Sequence, residues 1–334
     1  MPPSTPSAET RWRAALAVGG LAVCATLALG VGRVVWFDAY WVYRERPPWL
    51  AVTGGASRIL DRQTRRAKVL QALVRPYSVA LLGSSTVYHG LDPRDVAPRL
   101  RGEVYNAGIS ALVADELPLV ASVVASRSRL RQVVLGLDYY MFSRRDPLPV
   151  QLSPSLRDAA GRWEARLGAA ISRYAITDSF IDRVARGAEP GAWTREGFRI
   201  TPKLRPDQTR QNDAARRRLT APYRPETLEP LRQALHAFAH VRVTLYLSPV
   251  SEAQRRILAE RGLLDDFSRW RADMAGVAAE HGATFIDLAD RGAADPFNPD
   301  SGSTDVWLDN LHYTPVLGRE VLNAVGLRSP GQAD

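Results

Sequence analysis

Three short apolar runs constrain the fold of this chain more than any other feature. "YSVALLG", starting at Tyr77, is continuous rather than alternating, the pattern of a strand covered on both faces. "GEVYNAG" from Gly102 and "RQVVLGLDYYMF" from Arg131 repeat it. Helical patterns fill the gaps. In "DPRDVAPRL" Asp92 caps Pro93 at a first helical position, and "ADELPLVASVVASRSRL" is amphipathic with Pro118 in its first turn. Strand and helix in alternation at this spacing predict a parallel sheet with right-handed crossovers, a three-layer, flavodoxin-like α/β fold. The rhythm breaks between about Ser143 and His240. This stretch reads as a mostly helical insertion, 143–240, with a mobile part, placed where it would cover a site. It resumes with "VRVTLYLSPV", a long helical pattern and the strand "ATFIDLAD".

The N-terminus sets a second constraint. Residues Ala14 to Gly32 form an uncharged run, and Trp36, Tyr40, Trp41 and Tyr43 follow it like an interfacial belt. The run is long enough to span a bilayer and longer than the apolar core of a cleaved signal peptide. The reading is a cytoplasmic tail over 1–13, a transmembrane signal anchor over 14–37 and a globular part on the far side of the membrane. Arg11 and Arg13 favour that orientation, and Arg33, Arg44 and Arg46 oppose it. Residues 38–75 read as a juxtamembrane connector. Within it, "RILDRQTRRAKVLQALV" has helical spacing and a basic face, expected either in solvent or against anionic headgroups.

Composition narrows the partners. The formal charge is +9 over 334 residues, but the arginines are dispersed, and no basic block is interleaved with aromatics. Nucleic acid is therefore not an expected partner; the basic excess reads either as a surface for anionic lipid headgroups or acidic glycans or as a contribution to solubility alone. A single cysteine, Cys24, rules out an intrachain disulfide. No histidine cluster or HExxH helix is present, so neither a metal nor another cofactor is expected.

An α/β sheet carries its functional residues at the carboxyl ends of its strands. Here those ends hold Gly83-Ser84-Ser85, Asn106-Ala107-Gly108 and Gly136-Leu137-Asp138. A nucleophilic serine needs a base and a group that orients the base. In "DNLH", Asp309 precedes His312 by three residues and can accept from its Nδ1, leaving the outer nitrogen for a serine. An acid at this spacing from a histidine is common by chance in a chain with 5 His and 35 acidic residues; its place after the last strand is what singles it out. His89, on the serine's own turn with no acid behind it, reads as a surface residue rather than a rival base. His236, His240 and His281 fall on helices or their ends and carry no chemistry. Ser248-Pro249 ends another strand and reads as a turn rather than as lining of the site.

These segments, "GSS", "NAG", "GLD" and "DNLH", resemble in order and spacing the blocks of the SGNH (GDSL-like) hydrolase family. The wider strings "LLGSSTVYHGLDP", "YNAGIS", "VVLGLDYYMF" and "DNLHYTP", behind an N-terminal anchor, resemble its envelope-facing branch, which includes the D-alanine transfer protein and the alginate acetylation proteins. The resemblance covers about Pro76–Phe142 and Val241–Gly326. It implies an SGNH hydrolase fold over 76–330, Ser85 as nucleophile, His312 as base and Asp309 as its orienter. Backbone N–H groups of Ser85 and Gly108 would form the oxyanion hole. Tyr88, His89, Asn106 and Tyr139 would contact substrate. Asp138 stands where the family places an oxyanion-donating asparagine, so it must be protonated, turned away or otherwise employed. Ser84 replaces the signature aspartate.

The implied activity is ester chemistry on O-acyl groups of a cell-envelope polysaccharide through an acyl-serine, on the periplasmic side of a bacterial cytoplasmic membrane. Acyl transfer to such a glycan, with a membrane-bound O-acyltransferase as partner, stays open. So does a non-catalytic scaffold or binding role.

Overall fold

The structure is a computed structural model. It describes residues 7–44, 60–61, 63–143, 176–177 and 192–329. Five parallel strands form the central sheet: β1 (Val79–Leu82), β2 (Val104–Asn106), β3 (Gln132–Leu137), β6 (Arg242–Leu247) and β7 (Thr284–Asp287), in the order β2-β1-β3-β6-β7. A short antiparallel hairpin, β4 (Ala192–Trp193) and β5 (Arg199–Ile200), lies between β3 and β6 in the chain. The order reverses between β1 and β3, and that switch point opens the crevice in which doubly wound sheets hold their ligands.

Helices cover both faces, as the continuous apolar strands require. One side carries α2 (Thr64–Val74), α4 (Leu117–Ala125), α6 (Leu228–Ala237) and α8 (Leu264–Glu280), the other α3 (Ser85–Gly90) and α9 (Pro315–Ala324). Strand residues alternate between two cores. Ala80, Leu82, Val133, Leu135, Leu245 and Leu247 join the first. Val79, Leu81, Val134 and Tyr246 join the second, with Trp307, Tyr313, Leu317 and Val321. The remaining helices are α1 (Ala8–Phe37), α5 (Pro206–Leu219) and α7 (Glu252–Glu260).

Three expectations change. The chain reserved for a connector is partly core. In α2, Arg65, Lys68 and Gln71 are buried along with its apolar residues, and so is Arg75 after it. Of the basic residues described there, Arg65 and Lys68 meet protein rather than solvent or headgroups, because acceptors on neighbouring elements replace water, while Arg66 is half-buried. Tyr40 and Trp41 are buried as well, so the aromatic belt reduces to Trp36, which is half exposed. Gln71 Nε2 donates to Tyr40 O (2.8 Å), and this bond ties the end of the N-terminal segment to α2. Finally, 143–240 is not a single insertion. α6 is an ordinary crossover helix leading into β6. The helical reading of 161–186 lies outside the described residues except for 176–177.

α1 is long and apolar enough to cross a membrane. Its side chains project away from the protein, with Leu21 and Leu29 both 75% exposed, until Val34 and Phe37 turn into the core.

Candidate active site

Gly83 ends β1 with φ of 139°, and a Cβ there would lie 2.6 Å from Gly136 O on β3. Only glycine combines that backbone angle with so close an approach. The chain then turns into α3, whose N-cap is Ser84; its hydroxyl accepts from Thr86 N (3.2 Å). Ser85 is thereby set at the first helical position on the carboxyl edge of the sheet. Its own N–H has no partner among the described residues, as the opening amide of a helix must.

His312 arrives from the other end of the chain. Leu308 N donates to His312 O (2.8 Å) and Trp307 pairs with Tyr313. This tight return brings Asp309 under the ring. Asp309 Oδ1 and Oδ2 lie 3.0 and 2.9 Å from His312 Nδ1. A carboxylate only accepts, so Nδ1 carries the proton and Nε2 is left to accept from Ser85 Oγ, 2.8 Å away. Burial pushes the Asp309 carboxyl up. The electrostatic pull of the His312 ring and its N–H, with the backbone N–H groups of His312 and Leu311, outweighs it and holds the group well below the usual carboxylate range. The acid stays ionised and the imidazole stays oriented. Chemically, the arrangement can deprotonate the serine as it attacks and stabilise the imidazolium that results.

Residues around this relay depart from expectation. Asn106 was expected to contact substrate, but it is fully buried. Its amide donates to Val87 O (2.9 Å) and Leu91 O (2.8 Å), tying α3 to β2. Its Oδ1 accepts from Gly108 N (3.0 Å), so the Gly108 N–H expected in the oxyanion hole already has an acceptor. Asp138 takes the third of its possible roles. Its carboxylate is buried and accepts from Ser84 Oγ and from Thr86 Oγ1 (3.0 Å), which ties the serine turn to β3. Burial raises its carboxyl above the usual range, and the hydrogen bonds from Ser84 and Thr86 counter that only in part. An acceptor engaged in this way does not act as an oxyanion donor.

His89 is buried, not on the surface. Its ring meets that of His312 edge-on at 4.8 Å, and its Nδ1 pairs with Thr201 Oγ1 at 2.7 Å. Burial pushes its pKa well below the ordinary value, and the charges of His312 and Arg199 push it the same way. Tyr88 packs between His89 (4.5 Å) and Trp193 (5.2 Å) as part of the wall. Tyr139 stacks edge-on against Phe267 and Trp270, both at 5.7 Å, and its hydroxyl donates to Ala221 O (3.2 Å). A cavity of about 20 Å³ lies against Asp138, Tyr139, Tyr140, Ser248, Trp270 and Leu311, room for roughly one water-sized group.

Sequence reasoning expected 143–240 to cover a site but singled out no residue in it. Asn212 of α5 donates its amide to Asp309 Oδ2 (2.8 Å), so the orienting acid is itself oriented. Asp213 accepts from Asn310 Nδ2 (3.1 Å), and Arg216 lies 5.0 Å from the Tyr140 ring. The polar string "RQNDAARRR" had no periodic signal to mark it. An asparagine beside an aspartate and far from any strand end gives no warning of such a role.

No family model matches the chain, and no curated protein matches it. Among solved structures, it is similar to one described as "a putative platelet activating factor from Streptococcus pneumonia". The identity is 12%, the TM-score is 0.38, and the match covers 83% of this chain and 92% of that one.

Proposed function

We propose that this chain is a serine ester-processing enzyme of the SGNH kind. It is anchored by α1 in a bacterial cytoplasmic membrane, with the sheet on the periplasmic side, and acts on O-acyl groups of an envelope polysaccharide. The observation that carries the reading is the unbroken relay from Asp309 through His312 to Ser85 Oγ at the sheet's switch point. Ser85 Oγ attacks the ester carbonyl and His312 Nε2 takes its proton. The C–O bond of the ester then breaks, and the departing hydroxyl takes the proton back. Water releases the acyl group in the second half.

One observation favours a second reading, acyl transfer to a glycan hydroxyl fed by a membrane-bound acyltransferase. Ser85 is only 8% exposed, and α5 closes over the relay through Asn212. Limited access of water prolongs an acyl-serine and favours another acceptor.

The test is the full chain in detergent micelles, offered p-nitrophenyl acetate beside Ser85→Ala. The expected result is an acetyl-serine adduct in the parent protein alone and a turnover at least ~10³-fold lower in the variant. Equal rates and no adduct in either protein would remove the enzymatic reading in favour of a scaffold. Fast release of acetate into water would select hydrolysis over transfer.

A further inference from the structure

The oxyanion hole implied by sequence is short of donors. Gly108 N–H is directed to Asn106 Oδ1, and Asp138 is an acceptor that anchors the serine turn. Only the Ser85 N–H remains from the expected set. A single donor falls short of what acyl chemistry requires, because developing negative charge in a site this dry needs fixed dipoles aimed at it.

Among the described residues two buried hydroxyls beside Asp138 lack a partner, Ser248 Oγ and Tyr140 Oη, and Tyr140 is the one on which the Ser84 and Ser85 hydroxyls act. Tyr140 follows Asp138 by two residues, in the 3₁₀ turn Tyr139–Phe142 that caps the end of β3. The residue is 6% exposed, and its hydroxyl is buried with no hydrogen-bond partner among the described residues. A buried phenol left without a partner costs free energy unless something accepts from it during function. Tyr140 shares a cavity wall with Asp138, and the Asp138 charge and the Ser84 and Ser85 hydroxyls are near enough to act on its phenol. Burial first, then the Asp138 charge, keeps the phenol protonated far above neutral pH, so it remains a donor throughout. Arg216, 5.0 Å from the ring, lends positive field to the same hydroxyl, and its own Nε is also buried without a partner.

We propose that Tyr140 Oη is an oxyanion donor, acting with the Ser85 N–H and replacing the asparagine amide that Asp138 displaces. The assignment rests on the ester chemistry proposed above. As the Oγ–C bond forms, the carbonyl oxygen takes the π electron pair and becomes O⁻. The Tyr140 O–H donates a hydrogen bond to that oxygen and keeps its proton. The bond relaxes when the tetrahedral centre collapses and the ester C–O bond breaks.

Full-length Tyr140→Phe, assayed with p-nitrophenyl acetate and inhibited with phenylboronic acid, tests this. The packing of the ring is retained and only the donor is lost. The expected result is a kcat lower by about 10²–10³-fold with KM nearly unchanged, because the donor is needed only in the transition state. The boronate, which mimics the tetrahedral state on Ser85, should weaken in parallel. A Tyr140→Phe kcat within threefold of the parent, with Ser85→Ala inactive, would overturn the assignment and leave the ester chemistry standing. A parent protein as inactive as Ser85→Ala would overturn the ester chemistry, and this assignment with it. If Tyr140→Phe loses its cooperative melt, Arg216→Met gives the second reading. It keeps the hydroxyl and removes the cation, so kcat should fall severalfold at constant KM; an unchanged kcat would overturn the proposal.

Discussion

Two helices of this protein invert the usual rule of burial. α1 is apolar and stands exposed along most of its length, whereas α2 carries arginines and a lysine and is buried. The difference lies in what each can reach. Among the described residues nothing faces the α1 run, and its length and composition suit a lipid bilayer. In α2 every buried charge has a partner. Arg65 pairs with Glu116 and donates to Ser110 O (2.7 Å). Lys68 Nζ donates to Asn106 O (2.6 Å) and Gly197 O, inside a cage of Tyr88, Tyr105 and Trp193 rings at 4.9 to 5.8 Å. Burial and the nearby Arg75 charge pull the Lys68 pKa well below its ordinary value. Polarity by itself does not decide burial; the supply of partners does.

The largest effect should come from removing one such partner. Arg65→Met would leave the largely covered Glu116 carboxylate without its cation, with only the Val113 N–H still donating to it among the described residues, at a cost of about 3 kcal/mol in a denaturant melt. A loss under ~1 kcal/mol would mean that the pair is open to water and that the contrast between the helices is weaker than drawn. A smaller effect comes from His89, a buried base with a single hydroxyl partner. Its folded pKa is depressed. Below about pH 6.5 the unfolded chain therefore binds a proton that the folded chain refuses. Stability contributed by the neutral ring is complete above that pH and falls as pH drops toward the folded pKa, by at most about 1.4 kcal/mol per pH unit. His89→Gln should flatten that slope in thermal melts between pH 7 and 5; an unchanged slope would assign it to other groups. The smallest effect should follow deletion of 8–32, which keeps Val34 and Phe37. Melting of the remainder should shift by no more than about 0.5 kcal/mol, and the need for detergent should vanish. A large loss would show that α1 also packs on the protein.

Much of the site was legible because its parts lie within single short segments. The turn Gly83-Ser84-Ser85 and the pair Asp309/His312 each bring their groups together within four residues, and local geometry does the rest. The strands were legible for a similar reason: a continuous apolar run has few other places to go. Asn106 was misread because a strand-end asparagine looks alike whether it faces substrate or ties α3 to β2. His89 was misread because nothing near it in sequence points to Thr201 or to the ring of His312.

Sequence by itself determined the parallel α/β sheet, the apolar N-terminal helix and the serine, histidine and aspartate as candidates, since each follows from residue type and short-range spacing. Only the tertiary structure decided that α2 is core, that Asp138 anchors the serine turn, that Asn212 reaches Asp309 and that the Tyr140 hydroxyl is buried. Those outcomes depend on which acceptors and donors distant segments bring within about 3 Å, the range in which a hydrogen bond replaces water.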